Sequence, residues 1–250
     1  MIRSENKFKI CSNRFGEDIT EKIVDWIEDQ DEDYTSKTIV DIGCGNGQLL
    51  FRLQESGFTN LTGTDYSSYS IELAKQIQST VEEGNEINFI QSDILLETAA
   101  SDIFASLKKL NESRSIENSI NSFDLVLDKG TFDAICLAPE QPTAISPTAA
   151  EVAETNSDKT ETEKHKRVDM EARKKYLRSV RELMDAKKSV FLITSCNWTE
   201  DELVSMFSSY GFDFYGRIKH RSFTFGGVKG STVSSVAFKL KKMPLISPSI

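Results

Sequence analysis

The sequence predicts an α/β domain: a doubly wound, mostly parallel sheet with helices on both faces and an antiparallel strand near its C-terminus. Three observations carry this reading. Short apolar runs alternate with segments whose apolar residues recur every three or four positions, the pattern of strand–helix–strand units. Phe123 to Asp128 is apolar at nearly every position, as in a strand covered on both faces. The last two strand candidates, Phe212 to Ile218 and Val233 to Leu240, have no helix of convincing length between them, which implies antiparallel pairing.

Ile19, Ile23, Trp26 and Ile27 share one helical face, so a first helix starts near Asp18 and ends in the acidic run Glu28 to Lys37. Thr38 to Ile42 is a short strand that runs straight into Gly43-Cys44-Gly45-Asn46-Gly47. Leu49, Leu50 and Leu53 follow at helical spacing, with Gly57 as C-cap. A second strand, Asn60 to Tyr66, precedes a helix lined by Ile71, Ala74, Ile77 and Val81. The third strand, Ile87 to Gln91, ends at Ser92-Asp93, and Phe123 to Asp128 is the fourth. Tyr176, Leu177, Val180, Leu183 and Met184 mark a longer helix before the fifth strand, Ser189 to Ser195. Asn197-Trp198-Thr199 then leads to a helix carrying Leu203, Val204 and Phe207. Two segments interrupt the alternation: a polar extension, 101–121, and a low-complexity surface insertion, 138–170, which holds three of the five prolines. Residues 1–250 are read as one domain.

Composition narrows the function. The 250 residues carry 30 Lys+Arg against 39 Asp+Glu, a net charge of −9, with 38% hydrophobic residues, enough for a core. Such an acidic balance disfavours nucleic acid, whose binding proteins carry basic patches, and suits a basic protein partner better. No apolar run is long enough to cross a bilayer, and Met1 to Asn13 lacks the apolar core of a signal peptide. Cys11, Cys44, Cys136 and Cys196 are widely spaced, as expected for reduced thiols in the cytoplasm or nucleus. The two histidines, His165 and His220, lie in charged surroundings, so no metal site is expected.

The most informative segment is Asp41-Ile42-Gly43-Cys44-Gly45-Asn46-Gly47, between a strand and a helix. The dinucleotide fingerprint would need glycine at Gln48; the spacing here is Gly-x-Gly-x-Gly, with an acid two residues before the first glycine and no Lys or Arg to balance a pyrophosphate. Asp65, with Tyr66 beside it, ends the second strand, where a carboxylate accepts from both ribose hydroxyls. Asp93, with Ile94 beside it, ends the third, placed to accept from an adenine amine. Any one of these acids is reasonably read as a cap or turn residue. Three at successive strand ends form an anionic cleft for a nucleoside bearing positive charge, and S-adenosylmethionine is such a ligand.

With these residues in view, the sequence resembles the class I, seven-strand, Rossmann-like methyltransferases. The similarity sharpens in Leu127-Asp128-Lys129-Gly130-Thr131-Phe132-Asp133-Ala134-Ile135, in Leu192 to Thr199 and in Phe225-Gly226-Gly227-Val228-Lys229-Gly230, which resemble motifs of the elongation factor 1-alpha lysine methyltransferases. Phe15-Gly16-Glu17 is similar to that family's N-terminal element, with Arg14 where the family usually has Trp. The resemblance implies methyl transfer from S-adenosylmethionine to a lysine of elongation factor 1-alpha, in the cytoplasm; monomer is the default for this size.

Transfer to an amine is an in-line displacement in which the protein aligns the reactants. Deprotonating a free lysine at pH 7 costs about 4.6 kcal/mol, which desolvation and a neighbouring sulfonium offset. Asp128, at the end of the fourth strand, is the candidate for orienting the lysine, and also borders the cofactor; the alternative is a turn carboxylate capping a helix that begins near Thr131. Phe132 and Trp198 are candidates for an aromatic channel around the lysine stem, with ordinary packing as the alternative. Lys129 and Asn197 are weaker candidates, for cofactor carboxylate and substrate backbone respectively. A methyltransferase of another protein or a small molecule, or a binding module without catalysis, would share the fold.

Overall fold

The computed structural model describes residues 14–30, 34–81, 86–113, 120–137, 157–225 and 228–241. Its centre is a sheet of seven strands. β1 (Thr38–Ile42), β2 (Asn60–Asp65), β3 (Asn88–Gln91), β4 (Leu125–Lys129) and β5 (Val190–Ser195) are parallel, and the order across the sheet is β3, β2, β1, β4, β5, β9, β6. β9 (Ser234–Leu240) runs antiparallel to both its neighbours, β5 and β6 (Phe212–Ile218). The chain builds outward from β1 through β2 to β3, then returns to the other side of β1 with β4. The strand order therefore reverses between β1 and β4, where the carboxyl ends of a doubly wound sheet open a crevice.

Helices cover both faces because each central strand alternates its apolar residues between them. Ile39, Leu125 and Leu127 pack on one side with α1 (Arg14–Glu28), α2 (Gln48–Glu55) and α3 (Ser68–Gln78). Val40, Ile42 and Val126 pack on the other with α4 (Ala99–Ser113), α5 (Thr131–Leu137), α6 (Ser157–Glu182) and α7 (Glu200–Ser209). A fork of hydrogen bonds from Arg52 to both carboxylate oxygens of Glu21, at 2.6 and 2.9 Å, ties α2 to α1.

Several boundaries differ from expectation. α1 starts at Arg14, four residues before Asp18. α3 is set by Ser67, whose side chain accepts from the Ser70 amide, and it stops at Gln78, leaving Val81 exposed beyond its end. Most of the stretch read as a polar extension is α4: Ala99, Ala100, Ile103 and Leu107 form a narrow apolar stripe that is wholly buried, a pattern easily lost among polar neighbours. The remainder of that extension includes 114–119, outside the described residues. Of the insertion at 138–170, positions 138–156 likewise lie outside them, while from Ser157 the chain is helical and continues as α6. A short hairpin, β7 (Ser222–Phe225) with β8 (Val228–Ser231), stands between β6 and β9. Among the described residues no helix is long and apolar enough to cross a membrane.

Candidate active site

The site opens at the carboxyl ends of β1, β2 and β4. Parallel register places Ile42 beside Asp128 on one side and beside Thr64 on the other, so Asp41, Asp65 and Asp128 meet at one rim. The glycine loop leaves β1 there. The Cys44 amide donates to the Thr64 carbonyl at 2.9 Å, and the Gly45 amide donates to Asp65 Oδ2 at 3.0 Å. Gly43, at φ 67°, has no room for a side chain: a Cβ would stand 2.1 Å from Thr131 Oγ1. Gly45, at φ 56°, faces open space instead, so bare backbone is presented to whatever enters the crevice.

Asp65 is engaged on both oxygens, since its Oδ1 accepts from the Ser67 amide at 2.8 Å. It thereby fixes the glycine loop and the start of α3 together. Tyr66, just beyond, is 76% exposed, and its carbonyl accepts from Gln91 Nε2 at 3.2 Å. Asp93 is half-buried and turns the chain after β3 by accepting from the Leu95 amide at 2.9 Å, while Ile94 is buried in the core.

Asp41 is buried, and among the described residues no donor is hydrogen-bonded to its carboxylate. Burial raises its pKa to about 7; the Lys129 cation opposes the rise, and the carboxylates of Asp128 and Asp65 add to it. A buried carboxylate without a donor, next to open backbone, is complementary to a cation.

Asp128 differs from Asp41 in its partners, not in its depth. It is 2% exposed; its Oδ1 accepts from the Thr131 amide at 2.8 Å, and its Oδ2 accepts from the Phe132 amide at 2.9 Å and from the Tyr176 hydroxyl at 2.5 Å. In this arrangement the carboxylate accepts from the first amides of α5 and so caps that helix. Burial raises its pKa to about 7 against the pull of these three donors. Phe132 is fully buried and packs on Tyr176, Trp198 and Phe207 with centroids 5.2, 6.2 and 5.5 Å away. Trp198 is half-buried at the rim, with the Arg173 guanidinium 4.9 Å from its ring centroid.

Sequence reasoning missed the roles of Tyr176, Thr131 and Asp133. Thr131 donates its hydroxyl to the Ile42 carbonyl at 2.7 Å, locking α5 onto the end of β1. Asp133 accepts from the Ser195 hydroxyl at 2.6 Å and the Cys196 amide at 2.8 Å. Tyr176 sits on an apolar helix face, and its hydroxyl partner is 48 residues away, so periodicity alone carries no signal of the bond.

This fold and rim define a class: a doubly wound sheet whose first loop presents bare backbone beside carboxylates. Residues 34–221 match the family model described as a methyltransferase domain. The chain is 35% identical over 226 residues to EEF1A lysine methyltransferase 2 of Danio rerio, covering 90% of this chain and 75% of that protein. It is 30% identical to the protein of that name in Homo sapiens, covering 90% and 74%, and 33% identical to protein-lysine N-methyltransferase EFM4 of Saccharomyces cerevisiae, covering 88% and 79%. The chain belongs to the methyltransferase-domain family, in the group that contains these protein-lysine methyltransferases. Among solved structures, magnesium protoporphyrin IX methyltransferase from Synechocystis with bound SAM superposes with a TM-score of 0.52 at 15% identity, covering 96% of this chain and 87% of that one. The glycopeptide N-methyltransferase MtfA complexed with sinefungin gives a TM-score of 0.52 at 11% identity, covering 88% and 93%. These two likenesses establish the shared fold.

Proposed function

We propose that the chain transfers methyl groups from S-adenosylmethionine to a lysine side chain of elongation factor 1-alpha. The observation that carries the reading is the glycine loop bound through the Gly45 amide to Asp65, beside a buried Asp41 with no hydrogen-bond donor among the described residues. The relatives at 30–35% identity named for this substrate support its choice. The cofactor, when bound, supplies the electrophilic methyl group.

In this reading Gly43, Gly45 and Gly47 give the cofactor a backbone cradle, and the outward lone pairs of Asp65 accept the ribose hydroxyls. Asp93 accepts from the adenine amine, with Tyr66 and Ile94 flanking it. Asp41 faces the cofactor's positive charge. Asp128 works from beneath, holding α5 and through it the crevice wall. Trp198, at the rim, packs along the lysine stem, and a desolvated rim favours the neutral amine. The protein acts in the cytoplasm as a monomer, on a protein partner and not on nucleic acid.

The test is incubation of the purified chain with tritiated S-adenosylmethionine and elongation factor 1-alpha, followed by mass mapping. A labelled lysine that is lost with Asp65→Ala supports cofactor, reaction and substrate together. Cofactor binding without transfer to the factor sinks the substrate. Loss of cofactor binding in the unmodified chain sinks the reading altogether.

A further inference from the structure

We infer that Asp133 is a positioning residue for the protein substrate, because with Ser195 it fixes the backbone of the loop Cys196–Trp198 at the rim of the methyl-transfer site. The inference rests on the methyltransferase reading above. Asp133 lies in the first turn of α5, 7% exposed, and its two oxygens accept from the Ser195 hydroxyl and the Cys196 amide. The Ser195 oxygen accepts in turn from the amides of Asn197 and Trp198, each at 3.0 Å. Three consecutive N–H groups after β5 therefore end on one carboxylate–hydroxyl pair. Ser195 is itself buried, whereas Cys196 and Asn197 are exposed, so a buried clamp determines where an exposed loop projects.

The clamp acts on one side of the reaction only. α5 holds the cofactor loop through Thr131, whose hydroxyl donates to the Ile42 carbonyl, and it is pinned to β4 through Asp128. Asp133, two residues on from Thr131, reaches the opposite wall, which carries Asn197 and Trp198. Breaking the Asp133–Ser195 pair frees the substrate wall while Thr131 and Asp128 still hold the cofactor wall. A displaced substrate wall misaligns the incoming amine, and alignment is the protein's main contribution to this transfer.

The experiment compares Asp133→Asn, Ser195→Ala, their double variant and Ser195→Thr. Each is assayed for transfer to elongation factor 1-alpha over a range of factor concentrations, for cofactor Kd by calorimetry and for melting temperature. Asn at 133 can offer one acceptor but not two, Ala at 195 removes the hydroxyl, and Thr restores it. The expected result is a fall in kcat/KM for the factor of roughly 10- to 100-fold in both single variants, the size of a lost charge-assisted hydrogen bond. The double variant should be no worse than the poorer single one, Ser195→Thr should recover activity, and cofactor Kd should stay unchanged throughout. Wild-type kcat/KM in Asp133→Asn and Ser195→Ala would overturn the inference. So would a cofactor affinity that falls in step with activity, or a Ser195→Thr variant as impaired as Ser195→Ala, since either marks a role in general stability. Failure of the unmodified chain to methylate the factor removes the underlying reading, and is visible before any variant is made.

Discussion

Asp41 is the residue whose state should report on the crevice most directly. Its carboxyl titrates near 7 in the folded protein, because it is buried beside Asp128 and Asp65, against 3.8 when free. The folded state therefore holds this proton where the unfolded chain has released it, so Asp41 costs stability progressively as pH rises from about 4 to about 7. Asp41→Asn removes that cost: its melting temperature relative to wild type should climb through this window and level off above it. A constant difference from pH 4.5 to 8 would refute the assignment. Cofactor binding should show the complementary dependence. A positively charged ligand favours ionised Asp41, so affinity should weaken as pH drops from 8 to 6 in wild type, and calorimetry should find that slope absent in Asp41→Asn. At Asp65 the expectation is simpler. Asp65→Ala strips acceptors from Gly45 and Ser67 as well as from the ribose, so equilibrium dialysis with labelled cofactor should detect no binding.

At the scale of elements, α5 and α7 are both begun by side chains. Thr199 and Glu202 form a reciprocal capping box at α7, with the Thr199 side chain accepting from the Glu202 amide and Glu202 accepting from the Thr199 amide. Thr199→Ala should cost about 1 kcal/mol, read as a lower urea midpoint with unchanged slope. Tyr176→Phe should cost more, roughly 1–3 kcal/mol, because a buried carboxylate loses one of its three donors. Most elements were legible in the sequence because their cores repeat at two or at three-to-four residues. α4 was not, since only four of its apolar residues, Ala99, Ala100, Ile103 and Leu107, form the buried stripe among polar neighbours, and it is the burial of that stripe that makes the helix part of the layer. The carboxylate rim was legible as residues but not as roles. Chemical type and strand ends picked out Asp41, Asp65, Asp93 and Asp128, while which donors each carboxylate meets depends on the packing of distant segments, which no linear pattern encodes.

In the whole molecule, the last strands and the helix between them meet in one aromatic cluster. Phe191 of β5, Phe207 of α7, Phe212 of β6 and Phe238 of β9 are all fully buried, and Phe207 lies 5.0 Å from Phe238 and 5.6 Å from Phe212. Phe207→Ala should therefore destabilise the entire sheet, by about 3–5 kcal/mol in equilibrium unfolding. The placement of β9 between β5 and β6 has a consequence for biosynthesis. A ribosome that has delivered β5 must add the 45 residues after Ser195, through Leu240, before the strand that covers its second edge exists, roughly 2–9 s at ordinary elongation rates. For that interval the nascent chain carries an apolar strand with an open edge, a surface on which chaperones act and from which aggregates grow. Stalled chains ending before Ser234 should be cut by protease within β5 and β6, whereas chains that extend well past Leu240 resist; the sheet is complete only once β9 has been made.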